Sequence, residues 1–333
     1  MDKTFIIGYG WTGASAVIDA LRLHTNVNFV PNEFEDLRVP YGAYDLYQQK
    51  IAIINGITPH SFSAYAEFDS KSMMPRSRIK GFLNAIPSLI RSVRIPIPFT
   101  NSEHIDKYYR KYFFKNFFRV WSEGKLFKSF VYNLDKASTA KQAHDALLDW
   151  IENISLLYSE RPNKTCVFDQ GLLIENAGSI LQLLPNTKLI LVIRDPYKQI
   201  SNMLTNNSLR GMSWRTRYFF GVDDCDLNRV FLQFARITAY RLKLFISLYK
   251  MLGNKHILIV DYDIFLSDFR NEFQRICKFL HVDIMSENIG GENFDLEKSR
   301  NKNNKMSLDL NKYQEIIDII QPVYKKVKKF SYD

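Results

Sequence analysis

The stretch Phe5-Ile6-Ile7-Gly8-Tyr9-Gly10-Trp11-Thr12-Gly13-Ala14-Ser15 constrains the fold more than any other part of the chain. A short apolar run passes directly into a glycine-rich bend, and an apolar segment with helical spacing follows, from Ala14 to about Leu23. Strand, tight turn, then helix is the opening of a βα unit, and repeated βα units build a parallel sheet. The spacing satisfies two phosphate-binding templates. As G-x-G-x-x-G, over Gly8, Gly10 and Gly13, it is a dinucleotide turn with Glu33 or Glu35 as the ribose acid. As G-x-x-x-x-G-x-S, over Gly8, Gly13 and Ser15, it is a phosphate-cradling loop with Ala14 where a lysine usually stands. Either way, N–H groups at a helix N-terminus favour an anion. A tight turn without ligand fits the same spacing.

The rest of the chain carries the same rhythm with one interruption. Apolar runs predict strands over Thr4–Ile7, Val27–Val30, Thr165–Phe168, Lys188–Ile193 and His256–Val260. Helices are predicted over Tyr41–Ile54, from a Thr139 cap to about Tyr158, and over Asn176–Leu184, Pro196–Leu204 and Asp226–Leu252. A further helix is expected over Asp268–Leu280, capped by Ser267, and a last one from Ser307 into the basic run Tyr324–Lys329. Between about Ile57 and Asp135 the rhythm lapses, and Pro59, Pro75, Pro87, Pro96 and Pro98 break the chain. Continuous apolar strands alternating with helices predict a three-layer α/β/α fold with a central parallel sheet. The expected organisation is a single domain over 1–333 that carries 57–135 as a largely helical, basic and aromatic insertion.

Composition narrows the class. With 46% hydrophobic and 24% charged residues the chain is an ordinary globular protein. It holds no run of about 18 uncharged apolar residues, and its N-terminal apolar run is too short and glycine-rich for a secretion signal. Cys166, Cys225 and Cys277 are odd in number and far apart, so neither a disulfide framework nor a cysteine-rich zinc site is expected. Histidines His24, His60, His104, His144, His256 and His281 form no ligand-spaced cluster, and no metal is implied. A reducing cytoplasmic location is the expectation.

The net charge of +10 is local: residues 71–128 hold 13 Lys/Arg against three acids, leaving 32 cations and 32 acids elsewhere. That favours one anionic partner over general nucleic-acid affinity. At its heart, Tyr108 to Trp121 packs eight aromatics and four cations into fourteen positions, with Lys111, Lys115 and Arg119 on one helical stripe. Three readings stay open: a buried helix with a solvated basic edge, an acceptor cleft in which aromatic rings stack on sugars, and a peripheral membrane helix. The last would act with the apolar stretch Ile79–Phe99, giving membrane contact through 79–121. Single-stranded nucleic acid would use similar ingredients, but no nucleic-acid fold signature accompanies them, so no nucleic-acid partner is expected.

Several segments together resemble the sulfotransferases that use 3′-phosphoadenosine 5′-phosphosulfate (PAPS). Lys188 to Pro196 (KLILVIRDP), followed by Ser201, resembles their strand–helix motif, in which the Arg and a helix Ser bind the donor's 3′-phosphate. Ile257 to Phe265, with Asp261-Tyr262-Asp263, is similar to their Tyr-Glu-Asp strand end, and Ile276 to Leu280 to the helix end that follows. Phe294 to Asn304 (FDLEKSRNKNN) looks like the late Ser/Arg/Asn loop that closes over the 3′-phosphate. The opening turn matches the family's 5′-phosphosulfate loop, and Pro31-Asn32-Glu33-Phe34 is similar to the segment that carries a catalytic Glu.

The resemblance implies a sulfotransferase-like P-loop fold and transfer of a sulfuryl group from PAPS to a hydroxyl, leaving adenosine 3′,5′-bisphosphate. Gly10, Trp11, Thr12, Gly13, Ala14 and Ser15 would cradle the 5′-phosphate; Arg194, Ser201, Asn202, Ser299 and Arg300 would hold the 3′-phosphate; Glu33 would be the base, with Glu35 as fallback. The family's loop Arg/Lys falls on Trp11, and the helix Ser usually eight residues after the Arg falls on Asn202, with Ser201 one position earlier. A substitute cation (Arg38 or one from the insertion), a different donor, or a non-catalytic binder each account for Trp11. By analogy the acceptor is a saccharide or lipid-linked saccharide of surface-polysaccharide synthesis, at the inner face of the membrane. The alternatives are a nicotinamide or flavin oxidoreductase and a non-catalytic binding or assembly protein.

Overall fold

Strands covered on both faces need no polar alternation, and the apolar runs of this chain show none. In the computed structural model, residues 2–10, 12–25, 27–30, 37, 42–57, 122–159, 165–205, 227–284, 295–304 and 313–332 are described. Among them five strands, β1 (Lys3–Gly8), β2 (Asn28–Val30), β3 (Cys166–Asp169), β4 (Lys188–Ile193) and β5 (Ile257–Asp261), form one sheet in the order β2-β3-β1-β4-β5. Every pairing is parallel. The register places Gly8 beside Val192 and Val192 beside Val260, so β1, β4 and β5 end together at one edge.

Side chains alternate between two helical layers. On one face Ile6, Val167, Ile190, Val192, Leu258 and Val260 pack with α1 (Ala14–His24) and α9 (Phe269–Leu280), through residues such as Val17, Leu21, Phe273 and Ile276. Phe5, Ile7, Leu189, Leu191, Ile257 and Ile259 alternate to the other face and are equally buried. α7 (Leu227–Leu252) packs on Tyr9 through Phe245, α5 (Ile174–Leu183) and α11 (Gln314–Lys328) pack on α7, and α6 (Pro196–Thr205) packs on α11. Each such side chain contributes about 1.5–3 kcal/mol by leaving water. The expected three-layer α/β/α fold with a parallel sheet is present.

Two expectations near the sheet's C-terminal edge are corrected. The strand over His256–Val260 is expected to be followed by a helix over Asp268–Leu280 capped by Ser267, with no element assigned between them. Instead α8 (Tyr262–Ser267) begins directly after β5, because the Asp261 side chain accepts the Asp263 N–H and starts the turn. The Ser267 hydroxyl turns back to the Ile264 carbonyl, and Asp268 occupies the N-cap position of α9. The Phe294–Asn304 stretch, expected as a loop, contains α10 (Leu296–Asn304), whose first turn is held by Asp295 Oδ1 accepting the Lys298 N–H. The last helix, expected from Ser307, is described from Gln314.

The chain divides into two compact units, 1–34 with 160–333, and 35–159. The sheet lies wholly in the first. The second, as described, consists of α2 (Ala43–Ile54), a helix α3 over 122–136, and α4 (Ala140–Leu157). Thr139 caps α4 as expected, in a reciprocal capping box with Gln142. Phe127, Phe130 and Trp150 form an aromatic cluster between α3 and α4, and Tyr158 donates to Glu123. Lys50 of α2 donates to the Asp135 carbonyl at 2.7 Å. Residues 58–121, which hold the Tyr108–Trp121 segment and the 79–121 membrane reading, lie outside the described residues.

Candidate functional site

The first wall of the site is the β1–α1 turn. Gly10 and Gly13 have φ of 48° and 94°, backbone that side chains rarely adopt, and this lets the chain reverse within five residues. Thr12 is buried and folds back over Gly8 so closely that a Cβ at Gly8 would lie 2.3 Å from Thr12 Oγ1. Gly13 is the N-cap of α1, with no side-chain cap and no acidic residue in the first turn. Its carbonyl accepts the Ala16 N–H at 3.0 Å, leaving the first amides of the helix directed along its axis toward the turn. Ala14 is buried and Ser15 exposed there. Tyr9 anchors the turn from beneath: its ring packs on Phe245 and under Arg241, which pairs with Glu175 at 2.7 Å.

The second wall is the end of β4. Arg194 is only 5% exposed, and its Nη2 donates to Asn303 Oδ1 at 2.5 Å. Burial lowers its pKa, opposed by the nearby Tyr262, Asp263 and Asp195. The Asn303 amide nitrogen donates to Asp263 Oδ1 at 2.8 Å. Asp263 also accepts Lys198 Nζ at 2.6 Å and the Asp195 N–H at 3.1 Å. Burial alone would raise the Asp263 pKa, but these hydrogen bonds from Asn303, Lys198 and Asp195 hold it below the usual carboxylate value. Asp195 goes the other way, raised by burial, although its Oδ1 accepts the Tyr197 and Lys198 N–H groups that open α6.

Tyr262 and Gln199 bring the two walls together. The Arg194 guanidinium lies 5.2 Å from the centroid of the Tyr262 ring, and a Cβ added at Gly13 would meet that same ring at 2.4 Å. Gln199 Nε2, on the first turns of α6, donates to the carbonyls of Tyr9 and Gly10 at 2.7 and 2.8 Å. The glycine turn and Arg194 therefore share one aromatic neighbour, and the turn is tied to α6, the helix that follows Arg194. A third layer of support comes from α11. Fully buried Asp261 accepts Tyr324 Oη at 2.9 Å and Lys328 Nζ at 3.0 Å on one oxygen, while the other holds the Asp263 N–H.

Of the residues singled out in the sequence, Gly10, Thr12, Gly13, Ala14 and Ser15 form the turn, and Arg194 lies against the same Tyr262 ring as Gly13. Ser201 (buried) and Asn202 (half-buried) lie on α6. Ser299 is hydrogen-bonded to the Tyr262 phenol, at the same edge. Arg300 is engaged elsewhere: its Nε donates to the Leu266 carbonyl at 2.7 Å and its Nη1 pairs with Glu297. Trp11, Glu33, Glu35 and Arg38 lie outside the described residues. Asn303, Lys198 and Gln199 were not singled out as site residues. Tyr262 and Asp263 were named only as part of the strand-end motif; the described contact between Asp263 and Arg194 runs through Asn303.

The family model described as "Sulfotransferase family" matches residues 100–287, more than half of the chain. The chain belongs to the sulfotransferase family. The matched span includes Arg194, Ser201, Asn202 and Asp261–Asp263, and lies beyond the glycine turn. No curated protein matches the chain. Three solved structures similar to it are of low identity. The sulfotransferase domain of the Synechococcus PCC 7002 olefin synthase is 14% identical, with a TM-score of 0.45, over 100% of this chain and 95% of that one. A sulfotransferase from Alicyclobacillus acidocaldarius is 12% identical at a TM-score of 0.40, covering 98% and 96%. One from Mycobacterium avium is 13% identical at 0.40, covering 97% and 75%. Family membership removes the nicotinamide or flavin oxidoreductase alternative. Among the described residues no helix is long and apolar enough to cross a membrane, and no cluster of His, Cys, Asp and Glu has metal-binding geometry.

Proposed function

We propose that this sulfotransferase takes its sulfuryl group from PAPS and delivers it to a hydroxyl of a saccharide or lipid-linked saccharide. The observation that carries the donor reading is the shared Tyr262 ring, against which both a buried guanidinium and a helix N-terminus with no side-chain cap lie. A nucleotide phosphorylated at both 3′ and 5′ positions carries two anionic groups that such a pair can clasp. Arg194 would grip the 3′-phosphate bidentately, helped by Ser201 or Asn202 and by Ser299. The amides of Thr12, Gly13, Ala14 and Ser15 would hold the 5′-phosphate. Glu33 would take the acceptor proton as the sulfuryl group leaves the phosphate oxygen. In this reading 79–121 is the part that contacts the membrane, at its inner face in the cytoplasm. Arg300, committed to the Leu266 carbonyl, is the weakest member of the phosphate set.

Calorimetry with adenosine 3′,5′-bisphosphate tests the donor reading. Micromolar binding to the native protein, lost in Arg194→Ala, supports it; equal or absent binding in both overturns it. Glu33→Gln should retain that binding and lose formation of sulfated product from PAPS. Trp11 favours one second reading, a non-catalytic binder, because it stands where the family carries a loop cation. Tight bisphosphate binding with no turnover on any hydroxyl acceptor would select it.

A further inference from the structure

The donors converging on Asp263 outnumber what an amide could satisfy. Asp263 Oδ1 accepts from Lys198 Nζ at 2.6 Å and Asn303 Nδ2 at 2.8 Å, and Oδ2 accepts the Asp195 N–H at 3.1 Å. Three segments of chain meet there: the β4–α6 turn, the start of α8, and the end of α10. Both oxygens are used as acceptors, which a carboxylate can do and an asparagine cannot. The Asn303 amide is thereby fixed end for end. Its nitrogen is held by Asp263, so its oxygen faces Arg194, 2.5 Å from Nη2, with the whole residue buried.

We propose that Asp263 is the positioning residue of this site: its carboxylate orients the Asn303 amide, and through that amide it sets where the Arg194 guanidinium points. The inference rests on the reading that Arg194 grips a 3′-phosphate. Asp263 never meets the nucleotide in this arrangement. It acts in series, carboxylate to amide to guanidinium, and Asp261 secures it from behind by accepting its N–H at 2.9 Å. A hydrogen-bonded chain of this kind removes rotational freedom from the gripping group before the ligand arrives, which is how supporting residues raise affinity without contact.

The rival explanation is electrostatic. Were Asp263 only a negative charge near an anion site, removing that charge would tighten binding of every anion. The two accounts therefore predict opposite signs for one substitution. Affinities for adenosine 3′,5′-bisphosphate and for 5′-AMP, which lacks the 3′-phosphate, are measured by calorimetry on native protein, Asp263→Asn, Asn303→Ala and the double variant. Each single substitution should reduce the preference for the bisphosphate about tenfold or more, with 5′-AMP affinity changed less than about twofold. The double variant should lose no more than the larger single loss, because the residues act in series. An unchanged or widened preference in Asp263→Asn, or additive losses in the double variant, overturns the proposal. Should Asp263→Asn fail to fold, Asn303→Ala decides by itself, since it changes no charge: unchanged preference there is equally fatal. If the native protein itself does not prefer the bisphosphate, the reading of Arg194 has failed, and that outcome is distinct from a native preference that Asp263→Asn leaves intact.

Discussion

The β1–α1 turn and the β4–α6 turn end adjacent strands of one sheet, yet they are built from opposite materials. The first is backbone: two residues in the left-handed region, a threonine folded over Gly8, and no charged side chain among its described residues. The second is side chain: Arg194, Asp195, Lys198, Asp263 and Asn303 joined by hydrogen bonds through three segments. A wall made of backbone is broken by adding atoms. A wall made of side chains is broken by removing them, or by changing their protonation.

Gly13→Ala should give the largest effect. Its Cβ would overlap the Tyr262 ring at a backbone geometry that alanine resists, lowering stability by about 2–4 kcal/mol. Binding of both the bisphosphate and 5′-AMP should vanish in calorimetry; retention of either would mean the turn is not a ligand wall. Next comes Lys328→Met, which leaves the buried Asp261 carboxylate with less compensation and should cost about 2 kcal/mol in denaturant unfolding. Although burial lowers the Lys328 pKa, Asp261 raises it by more. The folded value therefore lies above the unfolded one. That contribution is complete below the ordinary lysine value and is lost as pH rises through the folded one, so the deficit of Lys328→Met should persist at neutral pH and shrink only under strong alkali.

Gly253→Ala sharpens the contrast with Gly13. Its φ of 71° is comparable, but a Cβ there meets nothing within 4 Å. The substitution should cost about 1 kcal/mol of backbone strain and leave nucleotide binding untouched. The smallest effect belongs to acid titration of the side-chain wall. Asp195, raised by burial, should protonate before Asp263, which its donors hold low. For Asp195 the charged form is the costly one, so mild acidification through its folded pKa relieves strain. For Asp263 stability is present above the unfolded carboxylate value and lost only as pH falls through its lower folded value. Carboxyl-carbon NMR titration should show that order; the reverse order would place the donors on the wrong carboxylate.

What was legible in the sequence follows from range. Lys188–Ile193 reads as a strand because six apolar-dominated residues sit between turn signals, and β4 has those bounds. The glycine turn is equally local. α8 was missed because its signal, the side chain of Asp261 capping two residues ahead, lies just past an apolar strand, and six residues are too few to show helical periodicity. α10 was read as a loop because FDLEKSRNKNN offers no apolar stripe; its buried contact is a polar one, through Asn303. The tie between Arg194 and Asn303 spans 109 residues, and that between Gln199 and Tyr9 spans 190. No spacing rule reaches so far. Only the meeting of strand ends at one edge discloses these partners.

The anchoring of Asp261 by Tyr324 and Lys328 bears on the order in which the molecule can be assembled. During synthesis β5 emerges well before the segment that neutralises its terminal acid. Until that segment arrives, docking the strand means desolvating a lone negative charge, so the edge that β1, β4 and β5 share cannot close while the ribosome still holds the tail. A ribosome-bound fragment halted ahead of Gln314 should accordingly be open to protease at the glycine bend, although every strand of the sheet has already been made.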